Sequence, residues 1–325
     1  MDFHLSFTPR PFDTRINLRH QLLLTGSCFT EQIGQKLAQH KFRILDNPNG
    51  ILFNPVSITR SLLSYISPKE YTAGDLFYQN ECWNSWEHHS RFSHPDPAVC
   101  LRLINSSQQA AHAFLKEADW LLITLGSAFV YERAGGEVVA NCHKVPTDKF
   151  HKRLLGAEEV TGQLHDLQEQ LLRFNPGLKI IYTISPVRHL RDGFIENNRS
   201  KATLIQAVHA LTGAGVYYFP AYELVIDDLR DYRFYAEDMV HPNYAATNYV
   251  WEKFTAACMD EESRSLMKEL AVLVAARNHK PFNPASDLHK KFLATNLEKA
   301  RQLQAAFPFL HLSEEIRFFS GTGSE

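Results

Sequence analysis

Two adjacent residues, Ser27 and Cys28, carry side chains that can act as nucleophiles, and both follow an apolar run that ends at Gly26. The apolar residues after them have helical spacing, so the segment predicts a strand, a sharp turn and a helix. Gly26 permits backbone angles closed to other residues, and the unpaired N–H groups of a helix start can hold a developing oxyanion. The alternative is that Ser27 only caps the helix and Cys28 is a small buried hydrophobe.

A second candidate pair, Asp238 and His241, stands just before a predicted helix near the end of the core. A histidine serves as a general base only when its tautomer and orientation are fixed, and a carboxylate three residues earlier can reach the ring Nδ1–H. The alternative is a satisfied surface pair. The position after the last predicted strand favours the catalytic interpretation.

Alternating strand and helix patterns predict how these residues are brought together. Apolar runs indicate strands near residues 22–26, 42–46, 119–125, 178–184 and 216–219, separated by segments with helical spacing. This alternation predicts an α/β fold, a three-layer α/β/α sandwich with a mostly parallel, flavodoxin-like sheet. In such sheets the site lies beyond the carboxyl ends of the strands.

The domain organisation is predicted as one main unit with additions. Residues 1–260 form the main domain, with insertions at about 67–95 and 129–150 that fit no regular crossover. Residues 261–319 predict a helical extension packed on the sandwich, or alternatively a lid or dimerisation arm. The tail, 320–325, is expected to be disordered.

Composition limits the partners and the compartment. The 325 residues are 44% hydrophobic and 22% charged, and the formal net charge of -2 provides no global attraction to nucleic acid. Neither an export signal nor a membrane-length apolar run is visible. The five cysteines form no C-x-x-C pair, which favours reduced thiols in a cytoplasm and no metal site. We therefore expect a cytoplasmic protein with no cofactor, no nucleic-acid partner and no membrane partner.

The order of these motifs resembles the SGNH (GDSL-type) hydrolase superfamily, and most closely its GSCFA-motif family, whose members carry Gly-Ser-Cys-Phe near the amino terminus. The resemblance covers roughly residues 20–260. It rests on Gly26-Ser27-Cys28-Phe29-Thr30, the Asn49-Gly50 turn, the apolar strand ending in Gly126, Asn141-Cys142-His143-Lys144, and Asp238-Met239-Val240-His241-Pro242-Asn243. It implies hydrolysis of an acyl ester, such as an acetyl ester, on a small-molecule or carbohydrate substrate.

The nucleophile turn departs from the superfamily pattern. Aligned without gaps, Cys28 occupies the position of the catalytic serine and Ser27 that of the aspartate. The resemblance thus favours Cys28, whose pKa we expect the helix start and His241 to lower. A shift of one residue restores Ser27, so both remain candidates.

The oxyanion hole departs as well. The superfamily adds a glycine N–H, a role that Gly50 can fill, and an asparagine side chain, whose position here holds Ala128. Either Asn141, our choice, or Asn54 replaces that asparagine, or the donor is missing. Loss of one such donor typically costs about 3 kcal/mol of transition-state stabilisation.

Two further residues are candidates for substrate binding. Arg188 follows a predicted strand and can bind a carboxylate or phosphate, or alternatively form a structural salt bridge. Trp86 can form an aromatic wall for a sugar or acyl group, or alternatively belong to a small core inside the first insertion.

Three functions follow from these residues. The first is an esterase in which Cys28 or Ser27 attacks the ester, His241 transfers the proton and Asp238 orients the imidazole. The second is an acyltransferase that passes an acyl group from acyl-CoA to a sugar hydroxyl. The third is a binding module on the same fold without catalysis.

Overall fold

A central parallel sheet and its flanking helices form the main body of the protein, which a computed structural model describes over residues 5–321. The strands are β1 (Gln21–Gly26), β2 (Arg43–Asp46), β3 (Leu76–Gln79), β4 (Cys82–Ser85), β5 (Trp120–Leu125), β6 (Phe129–Glu132), β7 (Val138–Val139), β8 (His151–Leu154), β9 (Lys179–Ile184) and β10 (Val216–Phe219). The helices are α1 (Cys28–Gln39), α2 (Pro55–Ile66), α3 (Pro97–Glu117), α4 (Ala157–Phe174), α5 (Phe194–His209), α6 (Ala221–Glu223), α7 (Tyr244–Cys258), α8 (Glu261–Asn278), α9 (Asp287–Ala306) and α10 (Ser313–Phe319). Over residues 5–321, every helix is too short or too polar to cross a bilayer.

The sheet has the strand order β10-β9-β5-β1-β2, and all four pairings are parallel. Counted within this sheet alone, the order is 2-1-3-4-5, which is the flavodoxin-like arrangement that the sequence predicts. The winding direction reverses between β1 and β5. Ligands of open α/β sheets bind outside the carboxyl ends of the strands at such a reversal.

Two apolar layers cover the faces of the sheet. Successive side chains of a strand point to opposite faces, so Leu22 and Leu24 pack in one layer and Leu23 packs in the other. All six residues of β5 are buried, as expected for a central strand covered on both sides. The predicted three-layer sandwich is therefore confirmed.

The predicted insertions fold as small antiparallel units. β3 and β4 form a hairpin within the first insertion. In the second, β6 pairs with both β7 and β8, so the excursion continues to Leu154 rather than ending near residue 150. The second unit leaves directly after β5, and the first, which follows α2, packs back on the turn after β2, where the His89 N–H donates to Asn49 O at 2.9 Å.

The C-terminal helices pack against the main sheet. Leu270 of α8 and Leu303 of α9 belong to the same apolar layer as Leu22. The short helix α10, which the sequence does not predict, is held by the fully buried Glu315, whose carboxylate lies 2.6 Å from Lys41 Nζ. The division at residue 260 stays a prediction, and most of the predicted disordered tail, residues 322–325, lies outside the described residues.

Candidate active site

The turn between β1 and α1 is formed by a close approach of two strands. Gly26 has a φ of +145°, and a Cβ at this position would lie 2.3 Å from the carbonyl oxygen of Thr124. The Gly26 N–H donates to Asn47 Oδ1 at 2.8 Å and the Ser27 N–H to Thr124 O at 3.3 Å. Glycine is therefore required for the sheet edge to turn directly into the helix that starts at Cys28.

The two candidate nucleophiles occupy different environments. Ser27 is the N-cap of α1, is 2% exposed, and its Oγ accepts the Phe29 N–H at 3.3 Å. Cys28 is the first residue of α1 and is only partly buried. Within residues 5–321, no hydrogen bond joins either side chain to His241. The capping interpretation thus describes Ser27, and Cys28 is the more accessible of the two candidate nucleophiles.

The pKa of the Cys28 thiol is raised rather than lowered, so the sequence expectation is wrong on this point. Burial is the largest cause, and the nearby carboxylate of Glu31 adds to it. The N–H groups at the helix start and the ammonium group of Lys201 act in the opposite direction. Burial outweighs them because the thiolate loses solvation at the sheet edge.

Asp238 fixes the orientation of the His241 imidazole. Its Oδ2 lies 2.6 Å from His241 Nδ1, and its Oδ1 accepts the N–H groups of Val240 at 2.9 Å and His241 at 3.0 Å. These hydrogen bonds, the His241 N–H first, lower the pKa of Asp238 to about 2. Within residues 5–321 no protein group is hydrogen bonded to His241 Nε2, so this nitrogen is left for a further partner.

Helices α1 and α7 bring the two halves of the site to one edge. Three contacts follow each other along both helices: Thr247 Oγ1 donates to Gln32 Oε1 at 3.0 Å, Lys36 Nζ to Asn248 Oδ1, and the rings of His40 and Trp251 stack at 5.4 Å. The residue numbers rise together, so the helices run in the same direction and their amino ends lie side by side. Cys28 starts α1, and His241 lies just before the start of α7.

Lys201, which the sequence analysis does not single out, lies at the same edge of the sheet. It is 1% exposed in α5, and its Nζ donates to Gly126 O at 2.6 Å and Ser185 O at 2.7 Å, at the carboxyl ends of β5 and β9. Burial lowers its pKa to about 7. The sequence carries one signal of this burial. Lys201 stands three residues before the buried Leu204, and residues three apart lie on the same face of a helix.

Gly50 is not free to serve as the predicted oxyanion donor in this conformation. Its N–H donates to Asn47 O at 2.7 Å and closes the turn after β2. A Cβ at Gly50, where φ is +81°, would lie 2.2 Å from His89 Cβ. The residue therefore has a structural reason to be glycine, which is the close packing of this turn against the first insertion.

Two asparagine side chains line the cavity next to the turn. Asn54 caps α2 and accepts the Ser57 N–H at 2.8 Å, while Asn141 Oδ1 accepts the His143 N–H at 2.8 Å. In both residues the side-chain carbonyl oxygen accepts a hydrogen bond from a backbone N–H two or three residues further along the chain. Within the described part of the chain neither Nδ2 group donates a hydrogen bond to protein, so both amides keep a donor for a ligand.

The cavity has a volume of about 420 Å³ and lies beside the segment after β2 and the loops that follow β5 and β9; neither Cys28 nor His241 lines it. Its lining combines aromatic, amide and charged side chains: Ile51, Phe53, Asn54, His89, Ser127, Phe129, Tyr131, Val139, Ala140, Asn141, Cys142, Lys152, His189, Arg191 and Asp192. It adjoins Gly126, where a Cβ would lie 2.8 Å from Phe53 Cβ and 3.1 Å from His189 Nε2. A second cavity, about 460 Å³, lies at the opposite end of α1 against His40 and Trp251.

The motifs that build this edge of the sheet identify the family. A sequence model of the GSCFA family matches residues 21–254, and one of the GSCFA domain protein, C-terminal domain, matches residues 271–321. The chain belongs to the GSCFA family. No match was found among curated proteins.

Three solved structures resemble this GSCFA-family chain at low identity. A carbohydrate esterase family 3 protein from Talaromyces cellulolyticus is 9% identical over 77% of this chain and 99% of its own, with a TM-score of 0.37. An acetyl esterase mutant with an acetate ion is 10% identical over 77% and 99%, with a TM-score of 0.36. An acetyl xylan esterase from the rumen bacterium Butyrivibrio proteoclasticus is 12% identical over 62% and 55%, with a TM-score of 0.30.

In this GSCFA-family chain, the guanidinium of Arg188 packs against two aromatic rings of the protein. Its guanidinium lies 5.0 Å from the ring centroid of Tyr232 and 4.6 Å from that of Tyr235. Its backbone N–H donates to Val240 O at 3.1 Å, next to His241. Within residues 5–321 Arg188 forms no salt bridge, which was the structural alternative, and it supports the loop that carries the histidine; binding of a substrate carboxylate or phosphate by its guanidinium stays a prediction.

Trp86 is enclosed by side chains of the two insertions. Its ring stacks on Phe77 with centroids 3.6 Å apart, meets Phe150 edge-on at 5.9 Å, and lies under the Arg133 guanidinium at 4.9 Å. It does not line the cavity. This packing fits the small-core interpretation, and a role of Trp86 in substrate binding stays a prediction.

Proposed function

We propose that the chain is an SGNH-type ester hydrolase that removes an acyl group, such as acetyl, from a carbohydrate-type substrate. The observation that carries the proposal is the Asp238–His241 contact of 2.6 Å, which leaves Nε2 open at the same edge as the helix that starts at Cys28. The superfamily resemblance of the motif order supports the same reaction.

The proposed reaction has two stages. The thiolate of Cys28 attacks the ester carbonyl after its proton passes to His241, and the imidazolium then protonates the leaving alcohol. Water, activated by the neutral imidazole, hydrolyses the thioester and releases the acid. Asp238 keeps Nδ1 protonated and stabilises the imidazolium, and the histidine approaches Cys28 when substrate is bound, because catalytic contacts in free enzymes are often long.

We propose Asn54 as the side-chain donor of the oxyanion hole, together with the N–H groups at the start of α1. The segment before Asn54 is tied to both strand ends: Leu52 N–H donates to Gly26 O at 3.0 Å, and Phe53 O accepts the Gly126 N–H at 2.7 Å. Asn141 reaches the cavity from the second insertion, without such ties to the turn.

A carbohydrate-type substrate is supported by the cavity. Its volume of about 420 Å³ falls within the range of small-ligand sites, and it combines flat rings, such as Phe129 and Tyr131, with amide donors. Rings of this kind pack against the apolar faces of sugars, while amides bond their hydroxyl groups.

The test compares hydrolysis of a short-chain aryl ester, and acetate release from an O-acetylated oligosaccharide, by wild type and variants. We expect Cys28→Ala and His241→Ala to lower kcat/KM by roughly 10³-fold or more. Ser27→Ala is the matched control, because it removes a cap worth about 1 kcal/mol and keeps the nucleophile. Unchanged activity in His241→Ala would contradict the mechanism. An inactive Ser27→Ala together with an active Cys28→Ala would identify Ser27, not Cys28, as the nucleophile.

The oxyanion assignment has its own pair of variants. Asn54→Ser keeps an oxygen that can cap α2 but removes the amide donor, so we expect kcat to fall by roughly 10²-fold with little loss of stability. Asn141→Ser is expected to leave kcat within a few-fold. The reverse order of effects would assign the donor to Asn141.

A further inference from the structure

The cavity of about 420 Å³ lies next to the turn that carries Cys28 without including that residue. One of its walls is the segment at Phe53, which is hydrogen bonded to the ends of two strands. The Leu52 N–H donates to Gly26 O at 3.0 Å, and the Gly126 N–H donates to Phe53 O at 2.7 Å. A substrate whose ester group lies at the turn can therefore extend its alcohol portion into this cavity, whose volume is typical of small-ligand sites.

The charged side chains of the lining leave one cation without a counter-charge. Lys152 forms an ion pair with Asp192, which is the only carboxylate of the lining, and its ammonium group also lies 4.5 Å from the ring centroid of Phe129. Arg191 belongs to the same lining, and within residues 5–321 no carboxylate pairs with its guanidinium. The lining therefore carries one uncompensated positive charge.

The loop that holds Arg191 is fixed on both sides. It forms a short helical turn, Leu190–Asp192, after β9. The ion pair of Asp192 with Lys152 ties this turn to β8, and the His189 N–H donates to Asn197 Oδ1 of α5 at 2.9 Å. A loop that is already ordered pays less entropy when its guanidinium is held against a ligand.

The hydrogen-bonding groups that the lining keeps for a ligand include several donors. Besides the Asn54 amide, which is proposed for the oxyanion hole, Asn141 has an Nδ2 group without a protein acceptor in residues 5–321, while its Oδ1 accepts the His143 N–H. His89 Nδ1 accepts the Arg91 N–H at 3.3 Å, so in the neutral ring Nε2 carries the hydrogen. Together with one free guanidinium, these donors suit a ligand that is rich in acceptors and negatively charged.

We propose that this cavity binds the alcohol portion of the substrate as a sugar acid, a monosaccharide unit whose carboxylate is held by the guanidinium of Arg191. This inference rests on the proposed function, because it names the kind of sugar that carries the ester. Guanidinium and carboxylate match in bidentate geometry. A carboxylate also balances one unpaired cation, whereas a phosphate monoester brings about two negative charges at neutral pH.

The first test measures binding without hydrolysis. Ligand-observed NMR titrations of the full chain at low ionic strength compare glucuronate with its methyl ester, which keeps the ring and loses the charge, and with a hexose phosphate. Arg191→Gln removes the charge of the cavity, and Arg191→Lys keeps it. Arg199→Gln is the matched control, because this exposed arginine of α5 pairs with Glu196 and does not line the cavity.

We expect the wild type to bind glucuronate about tenfold more tightly than the methyl ester, because a hydrogen bond between charged groups is stronger than one between neutral groups. Arg191→Gln should lose this preference, Arg191→Lys should keep part of it, and Arg199→Gln should keep all of it. Within residues 5–321 the guanidinium of Arg191 forms no hydrogen bond or ion pair, so each Arg191 variant should keep the wild-type midpoint of urea unfolding.

Three results would overturn the proposal. The first is a wild type that binds the acid no better than its methyl ester, or binds neither. The second is a folded Arg191→Gln that keeps the preference for the acid. The third is tighter binding of the hexose phosphate than of glucuronate, because the cavity would then select a phosphate rather than a carboxylate.

Hydrolysis of the acetylated sugars separates this proposal from the proposed function. For acetylated glucuronate we expect Arg191→Gln to raise KM by about tenfold with a much smaller change in kcat, since the guanidinium binds the sugar away from the reacting ester. Acid-selective binding without ester hydrolysis refutes the hydrolase and leaves the sugar-acid site. Hydrolysis with equal KM values for the acid and its methyl ester keeps the hydrolase and overturns the sugar-acid site.

Discussion

Replacement of Lys201 by methionine is expected to remove a pH dependence of folding stability. In the unfolded chain this lysine has its ordinary pKa near 10.5, while burial lowers the pKa to about 7 in the folded protein. Between these values the unfolded chain binds a proton that the folded protein does not. The free energy of unfolding of the wild type therefore rises as pH increases through this window, and a methionine at this position cannot contribute to that rise.

The magnitude follows from linkage. One proton difference changes the free energy of unfolding by about 1.4 kcal/mol per pH unit, so the contribution approaches about 2–3 kcal/mol between about pH 7 and about pH 9. The upper limit is set by buried acids such as Cys258, whose pKa is raised well above 9.0. Such acids lose their protons first in the unfolded chain, which lowers stability above that pH. Because buried cysteines already begin to ionise in the unfolded chain below about pH 9, the lysine is isolated by the difference in slope between the wild type and Lys201→Met.

Urea unfolding at several pH values, monitored by circular dichroism, measures the effect. Lys201→Met also leaves Gly126 O and Ser185 O without their donor, at about 1–3 kcal/mol each, so the slope with pH is the readout rather than the absolute stability. Ser200→Ala should keep the wild-type slope. A slope in Lys201→Met equal to that of the wild type would refute the assignment of Lys201 as a lysine with a strongly lowered pKa.

Three further substitutions test the site and its scaffold. Gly26→Ala should destabilise the protein by about 3–5 kcal/mol, measured by urea unfolding, because the new methyl group meets Thr124 O and the φ of +145° is strained; a stable variant would show that β1 and β5 can separate. Asp238→Asn should lower kcat/KM by roughly 10²-fold or more with little change in stability, because His241 loses its orienting carboxylate; full activity would remove Asp238 from the mechanism. Trp86→Ala should cost about 2–4 kcal/mol of stability and leave KM nearly unchanged in the folded fraction; a raised KM alone would restore its role in substrate binding.

Elements that depend on local pattern were predictable from the sequence. Four valine and leucine side chains at helical spacing mark α4 in the sequence, and all four are buried in the fold. β5 was evident as an apolar run because it is covered on both faces. In contrast, the start of α5 at Phe194 has no such signal in the sequence, because its first turn exposes Phe194 and Ile195 and shows no apolar face.

Properties of the site that depend on tertiary contacts were not predictable. A helix start and a histidine favour a low thiol pKa in sequence, but the burial that raises the pKa of Cys28 comes from strands and helices distant in the chain. Likewise, the N–H of Gly50 has a partner in its own turn, which only the fold reveals. The burial of Lys201 is likewise not expected from its type, because lysines are almost never fully buried.

The fold gives a physical reason for the alanine at position 128, which aligns with the superfamily asparagine. Ala128 is completely buried with Val130 and Leu155, and its N–H donates to Ser200 Oγ at 2.7 Å. An amide at this position would enter an apolar layer, at a cost of several kcal/mol, instead of reaching the nucleophile. In this chain the end of β5 is held by Ser200 and Lys201 of α5. Under the proposed mechanism the oxyanion donor would come from another segment, and the ties of the segment before Asn54 to both strand ends favour Asn54 for that role.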